Sequence, residues 1–235
     1  QYDGAVVLPG GVSMQGQGPH LTTIHGQGAI QTILINGNAS QPTTSISQLR
    51  VTGGVVGIEI GGTPTDDPNV ALSHLVISRN GGDGVHSTSL ATLTGEFLTI
   101  ANNGGDGVDL SVASAAVNDS VFTRNAGAGS RNRGSALSMA LDHACLSLNG
   151  GGTVAGGQAV SGWHQAFPVF LDETNDDYRS RYDCPTVDRG RPSAPFANEP
   201  GPNGGRANQG AFGDTPWATP VSGYALTEEI VLGGG

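Results

Sequence analysis

The chain has 235 residues, enough for one or two domains, and a formal net charge of −10. All ten of its basic residues are arginine. So acidic a chain argues against nucleic acid as a partner, and against polyanionic sugars unless calcium or a local Arg cluster intervenes. No apolar run approaches the roughly 20 residues of a membrane-spanning helix.

Residues 1–36 hold VVLPGGVSMQGQG and LTTIHGQGAIQTILI, short apolar runs cut by Gly-rich corners. They predict the first coils of a solenoid. Gln1 is followed at once by coil sequence, without an initiator Met or a visible leader, which predicts a processed product or a fragment of a longer chain. Residues 36–44 are polar and contain Pro42, so they read as a loop. ISQLRV and GGVVGIEI, within 46–60, form another coil. Residues 61–69, GGTPTDDPN, carry Asp66 and Asp67 and predict an excursion from the wall, where solenoids often place functional surfaces.

From Leu72 to Gly152 a short motif recurs: NGGDGV at 80–85 and 103–108, NAGAG at 125–129 and NGGG at 149–152. Its leading residues Asn80, Asn103, Asn125 and Asn149 are spaced by 23, 22 and 24 residues. A period in that range marks a stacked repeat. Ile77, Ile100, Phe122 and Leu146 stand three residues before each Asn, and Leu75, Leu98, Ser120 and Ala144 stand five before. That offset of two is strand periodicity. A further series, Leu72, Gly95, Val117 and Leu141, stands eight before. A repeat of about 23 residues has no room for strands and a long helix together, and cannot bury its own apolar face. Stacking buries that face, each strand pairing with its equivalent about 4.8 Å away. The expected fold is an all-β, parallel β-helix of roughly seven coils. Gly at the corners is expected to supply positive φ. The Asn column is expected to hydrogen-bond along the stack in a structural role. Gly makes up 39 of the residues, more than twice the ordinary share of about 7%, as many tight corners require.

Coils are expected over 1–160, a cap over 161–220 and a tail or linker strand over 221–235. The segment 163–184 gathers Trp163, Phe167, Phe170, Tyr178 and Tyr182, which are expected to pack over the end of the tube or along its side. AFPVFLDETNDDYR, then CPTVDRGRP, then PFANEPGPNGGRANQGAFGDT occupy 166–215. Their order resembles the C-terminal part of secreted bacterial right-handed parallel β-helix repeat proteins of the pectate-lyase-like superfamily. The resemblance implies a right-handed β-helix and an exported or surface-displayed bacterial protein. It implies no activity, since fold alone does not fix function. In the tail, 224–232 reads as one extended strand. A free strand beside an open first coil predicts head-to-tail assembly by strand addition, with folding back along the same tube as the alternative.

Cys145 and Cys184 are the only cysteines. They predict an oxidising compartment and one disulfide, two buried free thiols being the alternative. GGDGVDLSV at 104–112 is similar to the calcium-binding nonapeptide GGxGxDxUx, although Ser111 fills its large apolar position and the period is not nine. Asp83 and Asp106, one coil apart, are the candidate calcium carboxylates, with solvated turn residues as the alternative. Asp172, Glu173, Asp176 and Asp177 form a second acidic cluster. Arg79, Arg124, Arg131 and Arg133 could form a stripe that binds a sugar acid, or surface ion pairs of little energetic consequence. The six histidines lie in no hydrolase or zinc-protease motif. The leading functional expectation is an extracellular or cell-surface structural or adhesive module, non-catalytic and self-assembling, whose partners are copies of itself, other surface proteins or carbohydrate. The rival is a polysaccharide lyase or glycoside hydrolase acting on acidic polysaccharide. No cofactor other than calcium is expected.

Overall fold

The computed structural model describes residues 1–61, 67–111, 114–133, 138–156 and 163–221. The expected strand at 224–232 and most of the excursion at 61–69 lie outside them. The fold is a parallel β-solenoid of about six turns with a spacing near 24 residues. Among the described residues one sheet has eleven strands, a second has seven, and every strand pair within both is parallel. A separate antiparallel hairpin pairs Phe170–Asp172 with Asp177–Ser180.

The larger sheet is bent. Its strands Thr44–Thr52, Asn69–Ser78 and Thr92–Ala101 run through a corner that divides a leading limb from a trailing limb. In the next two coils the corner splits the strand, giving Ser114–Asn118 with Val121–Thr123, then Ser138–Asp142 with Ala144–Ser147. The smaller, straight sheet closes the tube through Gln31–Asn36, Val56–Gly61, Val85–Ser87, Val108–Leu110 and Ser130–Asn132.

Register fixes the core. Val51, Ile77, Ile100, Phe122 and Leu146 stand directly above one another on the trailing limb, all fully buried. Leu72, Gly95, Val117 and Leu141 do the same on the leading limb. On the straight sheet Ile33, Ile58, Val85 and Val108 complete the apolar lining. Since side chains alternate along a strand, a shift of one residue would turn each column outward, so the apolar lining fixes the register.

The corners meet the expectation only in part. Positive φ falls on glycine at some corners, as at Gly28, Gly53 and Gly152, but on non-glycine residues along two columns. Gln48, His74, Phe97, Asp119 and His143 (φ 49–56°) form one column, and Arg79, Asn102, Arg124 and Leu148 (φ 54–59°) the other. Gly84, Gly104 and Gly107 are needed for another reason. A Cβ on Gly104 would stand 2.2 Å from the carbonyl oxygen of Gly81, and one on Gly84 2.6 Å from that of Gly107. Backbone meets backbone between successive coils there, and no side chain fits.

The C-terminal segment first adds Trp163–His164 to the larger sheet beside Ala144–Ser147 and then lies along the side of the tube. It is a strap that runs back across the coils. Arg124 donates to Pro168 O, Asn102 to Tyr178 Oη and Glu173, and Arg79 to Glu173 O. Further on, Ala211 N donates to Thr99 Oγ1, and the Trp217 ring packs against His20 near the first coil (centroids 4.6 Å apart). The outer face of the trailing limb is therefore apolar too. Val76, Val121 and Cys145 are buried against Phe170, Tyr178 and Phe212. Of the aromatics expected to pack, Phe170 and Tyr178 do, whereas Trp163, Phe167 and Tyr182 stay exposed.

Candidate functional site

The Asn column forms a continuous ladder. The Nδ2 groups of Asn80, Asn103 and Asn125 donate to the Oδ1 of the next Asn in the stack at 3.0, 2.9 and 3.0 Å. Each of the three backbone N–H groups donates to the same oxygen at 3.1 Å. The Nδ2 groups of Asn103, Asn125 and Asn149 also donate back to Ile77 O, Ile100 O and Phe122 O, each at 3.1 Å. A buried amide with all its donors and acceptors placed is a strong structural element. The ladder extends one coil earlier without an Asn. Gly54 N donates to Asn80 Oδ1 at 3.2 Å, and Thr32 Oγ1 lies 3.4 Å from the same atom. Thr32 occupies the space that a side chain on Gly54 would need.

The outer face of the straight sheet carries a charged column in strand register: Glu59, His86, Asp109 and Arg131. Glu59 and Asp109 are buried although they point away from the tube. His86 Nδ1 lies 2.8 Å from Glu59 Oε2, and this hydrogen bond is the main cause that pushes the imidazole pKa upward. Arg133 grips both oxygens of Asp109 through Nε at 2.7 and 2.8 Å.

Asp83 and Asp106, the candidate calcium pair, stand one coil apart beside this column, but they are not bare facing carboxylates. Asp83 Oδ1 accepts the backbone N–H of Asp106 at 2.7 Å, and Asp106 Oδ1 accepts that of Ala128. Arg131 binds Asp106 through Nε and Nη2. Each carboxylate thus ties its turn to the following coil, and Gly105 and Gly127 leave room for it: a Cβ at either would come within 2.2 Å of the Asp oxygen below. Burial, with Asp109 and Asp106 adding repulsion, pushes the Asp83 pKa above the usual carboxylate range. Asp83, His86 and Asp109 bring one ligand atom each within 4.8 Å of one another, a spacing that could hold a divalent cation. Arg133 already neutralises Asp109, and Glu59 occupies His86, so the donor set fits a cation poorly as it stands.

The Arg stripe is divided between two tasks. Arg131 and Arg133 serve the straight sheet. Arg79 and Arg124 turn to the strap, Arg79 pairing with Asp176 at 3.0 Å and Arg124 with Glu173 at 3.6 Å. No single Arg surface for a sugar acid is assembled from these four. The second acidic cluster is likewise committed. Glu173 and Asp176 pair with those arginines, Asp177 with Arg179, and Asp172 caps a short 3-10 turn.

Cys145 and Cys184 are free thiols, which corrects the expected disulfide. Each sulfur already has other partners. Cys145 Sγ donates to Ala166 O at 3.4 Å, and Cys184 Sγ accepts from Val169 N at 3.2 Å with Thr186 Oγ1 at 3.0 Å. Burial pushes the Cys145 thiol up to about 12, which removes its thiolate character near neutral pH.

Sequence reasoning passed over two acids. Asp119 is fully buried, its carboxylate accepting Arg191 N at 2.6 Å and Arg191 Nε at 2.7 Å, while Arg191 also binds Glu96. Glu199 Oε1 accepts the N–H groups of Asn208 and Asp214 at 2.8 and 2.9 Å, and burial pushes its carboxyl up to about 7. Asp119 lies in no recognisable motif and meets Arg191 through the strap, whereas Glu199 lies within the 195–215 segment PFANEPGPNGGRANQGAFGDT and bonds to that segment's own backbone.

These features define a parallel β-solenoid bound by a lateral strap. No protein-family model, no curated protein and no solved structure matches the chain.

Proposed function

We propose that this chain is an extracellular, non-catalytic structural or adhesive module of the right-handed, pectate-lyase-like, bacterial kind that residues 166–215 resemble. The observation that supports it most is the state of the wall's charges. Arg79, Arg124, Arg131, Arg133 and Arg191 are each joined to an acid of the same chain. General acid–base chemistry needs such groups facing substrate. Here they fix turns and hold the strap. In the first coil, Tyr2–Asp3, Val6–Pro9 and Ser13–Gln15 each pair on one side only among the described residues. Val7, Leu21 and Ile30 are exposed near this edge. Such an edge accepts a further strand, from a second copy or from preceding sequence in a longer chain. In this reading, copies add head to tail into filaments.

The second reading, an enzyme acting on acidic polysaccharide, is favoured by the Asp83, His86 and Asp109 cluster. A panel of acidic polysaccharides, assayed for unsaturated ends and for new reducing ends, separates the two. The structural reading expects no product. Product that disappears in Asp83→Asn would overturn it. Electron microscopy of the native protein should show filaments, and monodisperse monomers at high concentration would remove the assembly part.

A further inference from the structure

The sequence holds five Asn-Gly pairs: Asn36–Gly37, Asn80–Gly81, Asn103–Gly104, Asn149–Gly150 and Asn203–Gly204. Three of them are rungs of the ladder, and the remaining rung, Asn125, is followed by Ala126. Asn is a thermolabile side chain, and a Gly after it removes the Cβ that would shield the next backbone nitrogen. That nitrogen attacks the Asn Cγ. The N–Cγ bond forms, the Cγ–Nδ2 bond breaks, and Nδ2 leaves as ammonia. Water then opens the five-membered imide to aspartate or, with an extra CH₂ in the main chain, to isoaspartate. Water is the only co-reactant. The stack itself favours the labile pair, since a Cβ on Gly104 or Gly150 would meet a carbonyl oxygen of the preceding coil at 2.2 or 2.5 Å.

The closed fold blocks the attack at both reacting groups. Asn103 Nδ2 donates to Asn125 Oδ1 at 2.9 Å and to Ile77 O at 3.1 Å, while its Oδ1 accepts Asn80 Nδ2 at 3.0 Å and Asn80 N at 3.1 Å. With four bonds on one amide, the side chain cannot turn toward its own main chain. The attacking nitrogens are committed as well. Gly81 N donates to Gly54 O at 2.8 Å, Gly104 N to Asn80 O at 2.8 Å and Gly150 N to Asn125 O at 2.9 Å. Asn80 and Asn103 are each only 2% exposed, which also keeps out the water of the second step. Asn36 is the contrast. It is exposed at the end of Gln31–Asn36, and its side-chain amide forms no hydrogen bond with any described residue.

We infer that the ladder residues Asn80, Asn103 and Asn149 are deamidation sites guarded by the closed tube, and that their conversion keeps an opened coil from closing again. A product carboxylate at 103 has no N–H to donate, so Ile77 O loses its donor. A carboxylate oxygen would then face Asn125 Oδ1 across the 2.9 Å now spanned by a hydrogen bond. A buried charge set against an acceptor is strongly unfavourable. Isoaspartate also lengthens the main chain, which displaces the residues after it from their partners in the neighbouring coils. Opening of the tube is thereby recorded as a covalent change. Asn36 lies off the ladder and converts whether the tube is open or closed.

Peptide mapping by mass spectrometry on the full chain tests it, after matched incubations in mildly alkaline buffer with and without unfolding concentrations of urea. In urea Asn80, Asn103 and Asn149 should convert, and Asn125 should lag several-fold behind because Ala126 carries a Cβ. Without urea Asn36 should convert at close to its rate in urea, while conversion at Asn103 falls about a thousandfold or more, following the small fraction of chain that is unfolded. Chain returned from urea should regain its melting transition only in the fraction of molecules whose ladder amides are intact. Asn103→Asp, which carries the product side chain, should melt below the native chain, and Asn36→Asp should melt at the native temperature. Conversion rates are read on the native sequence, so they stand even if Asn103→Asp does not fold. Asn103 converting as fast as Asn36 in the folded chain, no conversion of the ladder in urea, Asn125 keeping pace with Asn103 there, or full recovery of the melt after conversion would each overturn the inference.

Discussion

The tube and the strap are held by different physics. In the tube each coil repeats the contacts of the one before: a column of Val, Ile and Leu inside, an Asn ladder at one corner, and turn carboxylates that reach the next coil. The interactions are local along the stack, so the tube by itself would behave as a row of nearest neighbours. The strap repeats nothing. Its Glu173 meets Arg79, Asn102 and Arg124 from three successive coils, and Asp176 meets both Arg50 and Arg79. A segment that touches several coils at once couples them. The tube therefore supplies the architecture and the strap its cooperativity.

The sharpest way to break that division is Arg191→Ala. It leaves the fully buried Asp119 without its guanidinium, and unpaired buried charge costs about 3–5 kcal/mol. Chemical denaturation should show that loss and also a broadened transition, as coils uncouple from the strap. Asn103→Ala attacks the tube instead. Asn80 loses the acceptor of two hydrogen bonds and Ile77 O loses a donor, so destabilisation of about 2–3 kcal/mol is expected, with the sharpness of the transition retained.

Glu199 gives the strap a pH dependence that the tube ladder lacks. Its folded-state pKa, about 7, lies above its ordinary 4.5. The folded state therefore holds a proton that the unfolded state has released between those values. The stability linked to Glu199 is fully present below pH 4.5 and is lost as pH rises through about 7. Thermal melts across that window should fall for the native sequence and fall less for Glu199→Gln. The smallest effect is expected from Arg79→Ala. Its side chain is 42% exposed, and such pairs contribute about 1 kcal/mol or less. Thiol titration checks the strap's packing directly. Cys145 should resist an aromatic disulfide reagent in the native protein, and both cysteines should react on unfolding without reductant.

The same division decides what the sequence could show. The Asn spacing and the apolar residues three and five positions before it identify the coils, because translation along a stack copies a residue type at a fixed interval. The break near residue 160 is visible for the converse reason. The strap's path is not visible, since Arg191 finds Asp119 across 72 residues with no period to link them. One trace of it was present. LVIS, LTIA, VFT and ACLS are apolar at nearly every position, which is the pattern of a strand covered on both faces. The corners misled because both Gly and non-Gly residues occupy them, and only the backbone shows that Arg79 and Arg124 take the positive φ. Among the candidate sites, the Asn ladder was legible as a repeat. The free thiols were not, because they depend on where the strap lies.

Hydrogen exchange at the backbone amides of Asn80, Asn103 and Asn125 tests the coupling most directly. All three donate to the next Asn of the ladder, in consecutive coils. With the strap intact they should exchange slowly and with one common opening free energy, and in Arg191→Ala they should separate. Three different opening free energies in the native chain, unchanged by Arg191→Ala, would contradict it.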